Sequence, residues 1–163
     1  MTIKYLKRLF GKPVKPLEEE EEEIIEEVEF LPDLSLPITS SVVRRILSDK
    51  FPDTPLYLSD KQYFLCKYDD VALFLAQDET NKEEYKSEKY DCDNFSYRLM
   101  GQFSVPGWSE LCFGIVWTTK PTSHALNVMI AEDEKVLFIE PQTDGITENL
   151  SDTVDTVARF IIM

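Results

Sequence analysis

The sequence has 163 residues, is 43% hydrophobic and contains 2 Trp, 7 Tyr and 10 Phe, which suits one packed domain and excludes a disordered chain. Its formal net charge is −14, so its surface repels nucleic-acid phosphates and anionic lipid, and nucleic-acid binding is set aside as a function class. Three cysteines, Cys66, Cys92 and Cys112, are too few and too odd for a disulfide framework, and no apolar run reaches the length of a membrane span.

Residues 1–29 read as a tail, basic and then Glu-rich, and residues 30–163 as the folded domain. Met1 to Pro16 carries Lys4, Lys7, Arg8, Lys12 and Lys15 and no acid. Ile3, Leu6, Leu9 and Phe10 fall at helical spacing, the pattern of a short amphipathic helix on a partner or an anionic surface. A helix this short is marginal in water, which favours a frayed end. Nine glutamates then lie between positions 18 and 29; they repel one another and keep that stretch solvated. The tail is a candidate contact for another protein. The basic start lacks a continuous apolar core and a small-residue cleavage site, so no secretory signal is read and a cytoplasmic or virion location is expected.

Within the domain, Thr39 or Ser40 caps a helix to about Lys50, with Val42, Val43, Ile46 and Leu47 inward. Leu56-Tyr57-Leu58 and Tyr63-Phe64-Leu65-Cys66, either side of Ser59-Asp60-Lys61, predict a β-hairpin, with Cys66 as a small core hydrophobe. A second helix starts at Asp69 or Asp70, turns Val71, Phe74 and Leu75 inward and ends near Asp78. Glu79 to Lys89 is a polar surface loop. Asp91 then caps a third helix, whose apolar stripe is Phe95, Leu99 and Phe103.

Leu111 to Trp117 is a buried strand by its continuous apolar content. His124 to Ile130 and Val136 to Ile139 form a hairpin across Glu132-Asp133-Glu134, Asp144-Gly145 marks a turn, and Ala158 to Met163 is a last strand. Helices early and strands late predict an α+β domain.

Cys92 stands at the positive end of the third helix, where a thiolate is favoured. His124, the sole histidine, follows on a strand, and Glu140 on the next. A nucleophilic thiol needs a base and a group that orients the base. His124 and Glu140 fit those two roles, and backbone N–H groups at the helix start would form part of an oxyanion hole. His124 and Glu140 share a face if the loop between their strands has an odd number of residues. If it has two, Asn127 or Gln142 becomes the orienting group. Asp91 and Asp93 flank the thiol and would raise its pKa. Two readings stand for them: ligands of a hard cation such as calcium that offsets this effect, or solvent-facing caps.

The blocks Tyr90-Asp91-Cys92-Asp93-Asn94-Phe95, Gly114-Ile115-Val116-Trp117, His124-Ala125-Leu126-Asn127 and Phe138-Ile139-Glu140-Pro141-Gln142 resemble the C-terminal domain of the fairy-ring mushroom (Marasmius-type) agglutinins. The resemblance runs from about Leu56 to Thr143. It implies a papain-like cysteine-protease fold, with N-terminal helices packed on an antiparallel sheet. It also implies Cys92 as nucleophile, His124 as base, Glu140 as third member, and calcium near the site. The trefoil lectin of those agglutinins has no counterpart here, so glycan binding is not carried over. The expected function is therefore a cysteine peptidase or amide hydrolase acting on a peptide or protein substrate, possible only with an open Cys92–His124 site. The alternatives are a catalytically silent papain-like binding module, for instance in a phage or other microbial particle, or a transglutaminase-like acyl transferase.

Overall fold

The computed structural model describes residues 30–151 and 155–163; the expectations for residues 1–29 lie outside them. The chain opens with β1 (Pro37–Thr39) and α1 (Ser40–Lys50), followed by β2 (Leu56–Tyr57), β3 (Gln62–Phe64) and α2 (Tyr68–Gln77). After a 3-10 turn at Thr80–Lys82 come α3 (Cys92–Phe103), β4 (Phe113–Lys120), β5 (His124–Ile130), β6 (Val136–Glu140), β7 (Gly145–Thr147) and β8 (Val157–Ile162).

Six strands form one sheet in the order β2-β8-β4-β5-β6-β7. The β2–β8 pair is parallel and the other pairs are antiparallel. The last strand therefore lies inside the sheet, between β2 and β4. The expected hairpin at residues 56–66 is not formed: β2 joins β8, and β3 pairs with β1 in a separate two-stranded sheet. Local apolar content identified both segments as extended but contained nothing about which distant edge each would meet.

Both faces of the centre of the sheet are covered. Side chains alternate across it, so Phe113 and Asn127 lie on one face and Val128 and Phe138 on the other. On the first face, Phe103 of α3 stacks on Phe113, with centroids 3.8 Å apart and planes at 2°. On the second, Phe51 at the end of α1 meets Phe138 edge-on at 6.0 Å. Every residue of β5 after His124 is buried, which explains its nearly unbroken apolar sequence. A second aromatic cluster joins α2 to α3: Phe74, Phe103 and Trp108 lie within 4.1–5.3 Å of one another.

The papain-like expectation, N-terminal helices packed on an antiparallel sheet, is corrected. The body is dominated by a mixed sheet that takes strands from both ends of the domain, and a strand precedes the first helix. No helix among the described residues is long and apolar enough to cross a membrane.

Candidate functional site

The start of α3 follows from its cap. Asp91 and Asn94 form a reciprocal capping box: Asn94 Oδ1 accepts from the Asp91 backbone N–H at 3.1 Å, which satisfies donors that the first helical turn leaves free. The Asp91 carboxylate also accepts from the Glu88 N–H at 3.1 Å. Cys92 is thereby fixed as the first helical residue and is half-buried. Its carbonyl accepts from Ser96 Oγ at 2.9 Å. Among the described residues no hydrogen bond joins its thiol to His124.

His124 and Glu140 are brought together. They are the terminal residues of β5 and β6. Ile130 pairs with Val136, so an odd number of residues separates the strands, and the two side chains share a face as diagonal neighbours. His124 Nε2 lies 2.7 Å from Glu140 Oε2. Gln142 completes the cluster, with its backbone N–H and its side-chain Nε2 both donating to Glu140 Oε1 at 3.3 Å.

Burial raises the Glu140 carboxyl, but the His124 hydrogen bond and charge and the Gln142 donors outweigh it and hold the pKa below the usual 4.5. The ionised carboxylate therefore stabilises the fold. This contribution is fully present above the unfolded value and disappears as the pH falls through the lower folded one. Glu140→Gln is expected to lower the melting temperature at pH 7, with the gap to the native protein closing below about pH 4. A thermal-melt series across that range checks this, and a gap that ignores pH would refute it.

Asn127 plays a structural role instead of orienting the imidazole. It is fully buried, and its Nδ2 donates to Ser96 O at 3.1 Å and to Gly114 O at 3.2 Å. It thus ties α3 to the centre of the sheet.

Asp91 and Asp93, the calcium candidates, interact with each other. A hydrogen bond with Asp91, then burial, then the Asp91 charge push the Asp93 carboxyl up, as expected for carboxylates close enough to share a proton. Among the described residues no three His, Cys, Asp or Glu side chains converge on a point that would hold a metal, whereas calcium takes about six to eight oxygens.

The three thiols differ sharply. Burial, followed by the nearby Cys112 and Asp70, pushes the Cys66 thiol well up, and its Sγ donates to Cys112 O at 3.4 Å. Burial pushes Cys112 up to about 12. A thiol reacts as its thiolate, so iodoacetamide is expected to modify Cys92 alone in the folded chain. Peptide mass spectrometry reads this out, and comparable labelling of Cys66 or Cys112 would contradict it.

No sequence motif marks the row made by exposed Tyr97 and half-buried Trp117 and Phe160. Trp117 stacks on Phe160 at 4.4 Å and Tyr97 lies 5.6 Å from Trp117. The available signal was Tyr97, which stands off the Phe95, Leu99 and Phe103 stripe of its own helix.

The family described as ricin-type β-trefoil lectin C-terminal domain matches residues 39–163. The chain belongs to that family. Two solved structures resemble this lectin C-terminal domain. One is a complex of PSL1a with E64, 22% identical, with a TM-score of 0.67, covering 80% of this chain and 51% of that one. The other is the Polyporus squamosus lectin bound to the human-type influenza-binding epitope Neu5Acα2-6Galβ1-4GlcNAc, 22% identical, with a TM-score of 0.63, covering 80% of this chain and 50% of that one. The chain therefore spans about half the length of these neighbours. No curated protein matches it.

These matches are to lectins, and they overturn the expectation of a papain-like cysteine peptidase or amide hydrolase with a Cys92–His124–Glu140 triad. The transglutaminase-like alternative falls with it, and of the silent papain-like module only the binding-module part stands. Cysteine-then-histidine order is common in sequences, and a histidine held by a carboxylate is equally at home as a structural pair. The part of the agglutinin resemblance that stands is its coarser content, a lectin C-terminal domain.

Proposed function

We propose that this chain is a non-enzymatic, carbohydrate-binding domain of the lectin type. The observation that carries this reading is the family match over residues 39–163. The Polyporus squamosus neighbour is bound to a sialylated glycan, and the resemblance covers about half of that protein, so recognition by this chain itself is the quantity to measure. Two surface features support the reading. Where β5 begins and β6 ends, the partly buried His124, Glu140 and Gln142 gather donors and acceptors of the kind that suit sugar hydroxyls. The rings of Tyr97, Trp117 and Phe160, exposed or half-buried, suit the apolar face of a pyranose.

The purified 163-residue chain, applied to a glycan array, is expected to bind a subset of glycans saturably, with competition by the free sugar. A chain that melts cooperatively but binds no glycan would refute the proposal.

A further inference from the structure

Lys50, the last residue of α1, is half-buried. Its Nζ donates to the Glu148 carbonyl oxygen at 3.1 Å, which uses one of its three N–H donors. The Phe138 ring lies on one side, with its centroid 5.4 Å away. Lys50 also lines two hollows. One, of about 470 Å³, is shared with Phe51, Thr54, Asn149, Asp155 and Thr156. The other, of about 410 Å³, is shared with Arg45, Ile46, Asp49, Glu134 and Val136. A small solute that enters either hollow meets the Lys50 side chain.

Two of the nearby carboxylates are engaged by other cations. Glu134 pairs with Arg45 at 3.9 Å and Glu148 with Lys135 at 3.8 Å, so Glu148 offers Lys50 its carbonyl and not its carboxylate. Asp49 and Asp155 stand on the wall of the larger hollow. Among the described residues Lys50 forms no ion pair. Burial pushes its pKa below the ordinary 10.5, against the smaller opposing pull of the Glu148 charge. Lys67 and Lys135, by contrast, are held above that value by hydrogen bonds to Asp33 and Asp133. A desolvated lysine carries more free amine at neutral pH, and the free amine is the nucleophile.

We propose that Lys50 is a carbonyl-capture site, at which a small uncharged aldehyde forms a reversible imine. The ammonium first releases a proton to water. The Nζ lone pair then attacks the aldehyde carbon, a C–N bond forms, and the carbinolamine loses its oxygen as water to leave C=N. Amine and aldehyde thus give imine and water, with nothing oxidised or reduced and no further reactant. Asp49 and Asp155 on the wall of the hollow disfavour an anionic carbonyl compound. The inference goes beyond the carbohydrate-binding reading and does not depend on it, because the covalent step needs no glycan contact.

The test incubates the 163-residue chain with glycolaldehyde and cyanoborohydride, which reduces the imine to a stable secondary amine. Peptide mass spectrometry then follows each lysine with time. At neutral pH Lys50 is expected to be modified at least about threefold faster than the exposed Lys61, Lys89 and Lys120. That preference should vanish in denaturant, where the burial is lost. Lys50→Arg keeps the charge and a donor for the Glu148 carbonyl but cannot form the imine. It should melt with the native protein and lose the fast component of labelling. Glyoxylate, an anionic aldehyde, should show a smaller preference for Lys50. Labelling of Lys50 no faster than that of the exposed lysines, a preference that persists in denaturant, or a fast component that survives Lys50→Arg would overturn the site. An equal preference with glyoxylate would overturn the uncharged ligand class.

Discussion

Gly114→Ala is expected to destabilise the domain by roughly 3 kcal/mol or more, the upper range for inserting a methyl group into packed structure. Gly114 lies in β4, where the chain runs beside the end of β8. A Cβ there would fall inside the contact shell of the Ile162 carbonyl oxygen, 3.0 Å from Met163 Cα and 3.1 Å from the Ile162 carbonyl carbon. All three are backbone atoms, so no rotamer change can make room and the β4–β8 pair itself must open. The damage spreads, because the Gly114 carbonyl is one of the two acceptors of buried Asn127, which ties α3 to the sheet. A loss of roughly 6–12 °C in melting temperature is expected for a domain of this size. A melt within a degree or two of the native protein would show that the two strands are less closely apposed than described.

Phe138→Ala is expected to cost about 3–5 kcal/mol, the usual range for truncating a buried aromatic ring. Phe138 is fully buried on β6. It packs edge-on against Phe51 at the end of α1, and Lys50 Nζ lies 5.4 Å from its ring centroid. Removing the ring leaves a cavity between α1 and the sheet. It also strips one face from a lysine whose pKa burial already lowers. Neither strand nor helix can close the gap without losing register, so the cavity persists. Denaturant unfolding gives the value directly. Phe138→Leu, which keeps most of the volume, should recover much of the loss, and an equal loss in both variants would argue against a cavity as the cause.

The sequence-level reading went furthest where a short pattern has a local physical cause. Asp91 as a helix cap, the Phe95, Leu99 and Phe103 stripe and the apolar run of β5 needed only helix and strand periodicity. The meeting of His124 with Glu140 was accessible through strand parity, because an odd loop keeps both side chains on one face. The failures were non-local. Leu56 and Tyr57 look like half of a hairpin, yet their partners are Ile161 and Ile162, more than a hundred residues away. The catalytic reading failed for a related reason: residue types in a suggestive order carry no record of what they touch. Asn127 looks like a site residue and is a buried tie between α3 and β4.

Composition, charge and periodicity alone determined that this is one acidic, well-packed domain of capped helices and apolar strands, because each of those properties depends on neighbours a few residues apart. Only the tertiary structure decided that the final strand inserts between β2 and β4 and that Trp117, Phe160 and Tyr97 assemble into one row. Those outcomes depend on which distant surfaces bury each other, and that energy is shared among segments far apart in the chain.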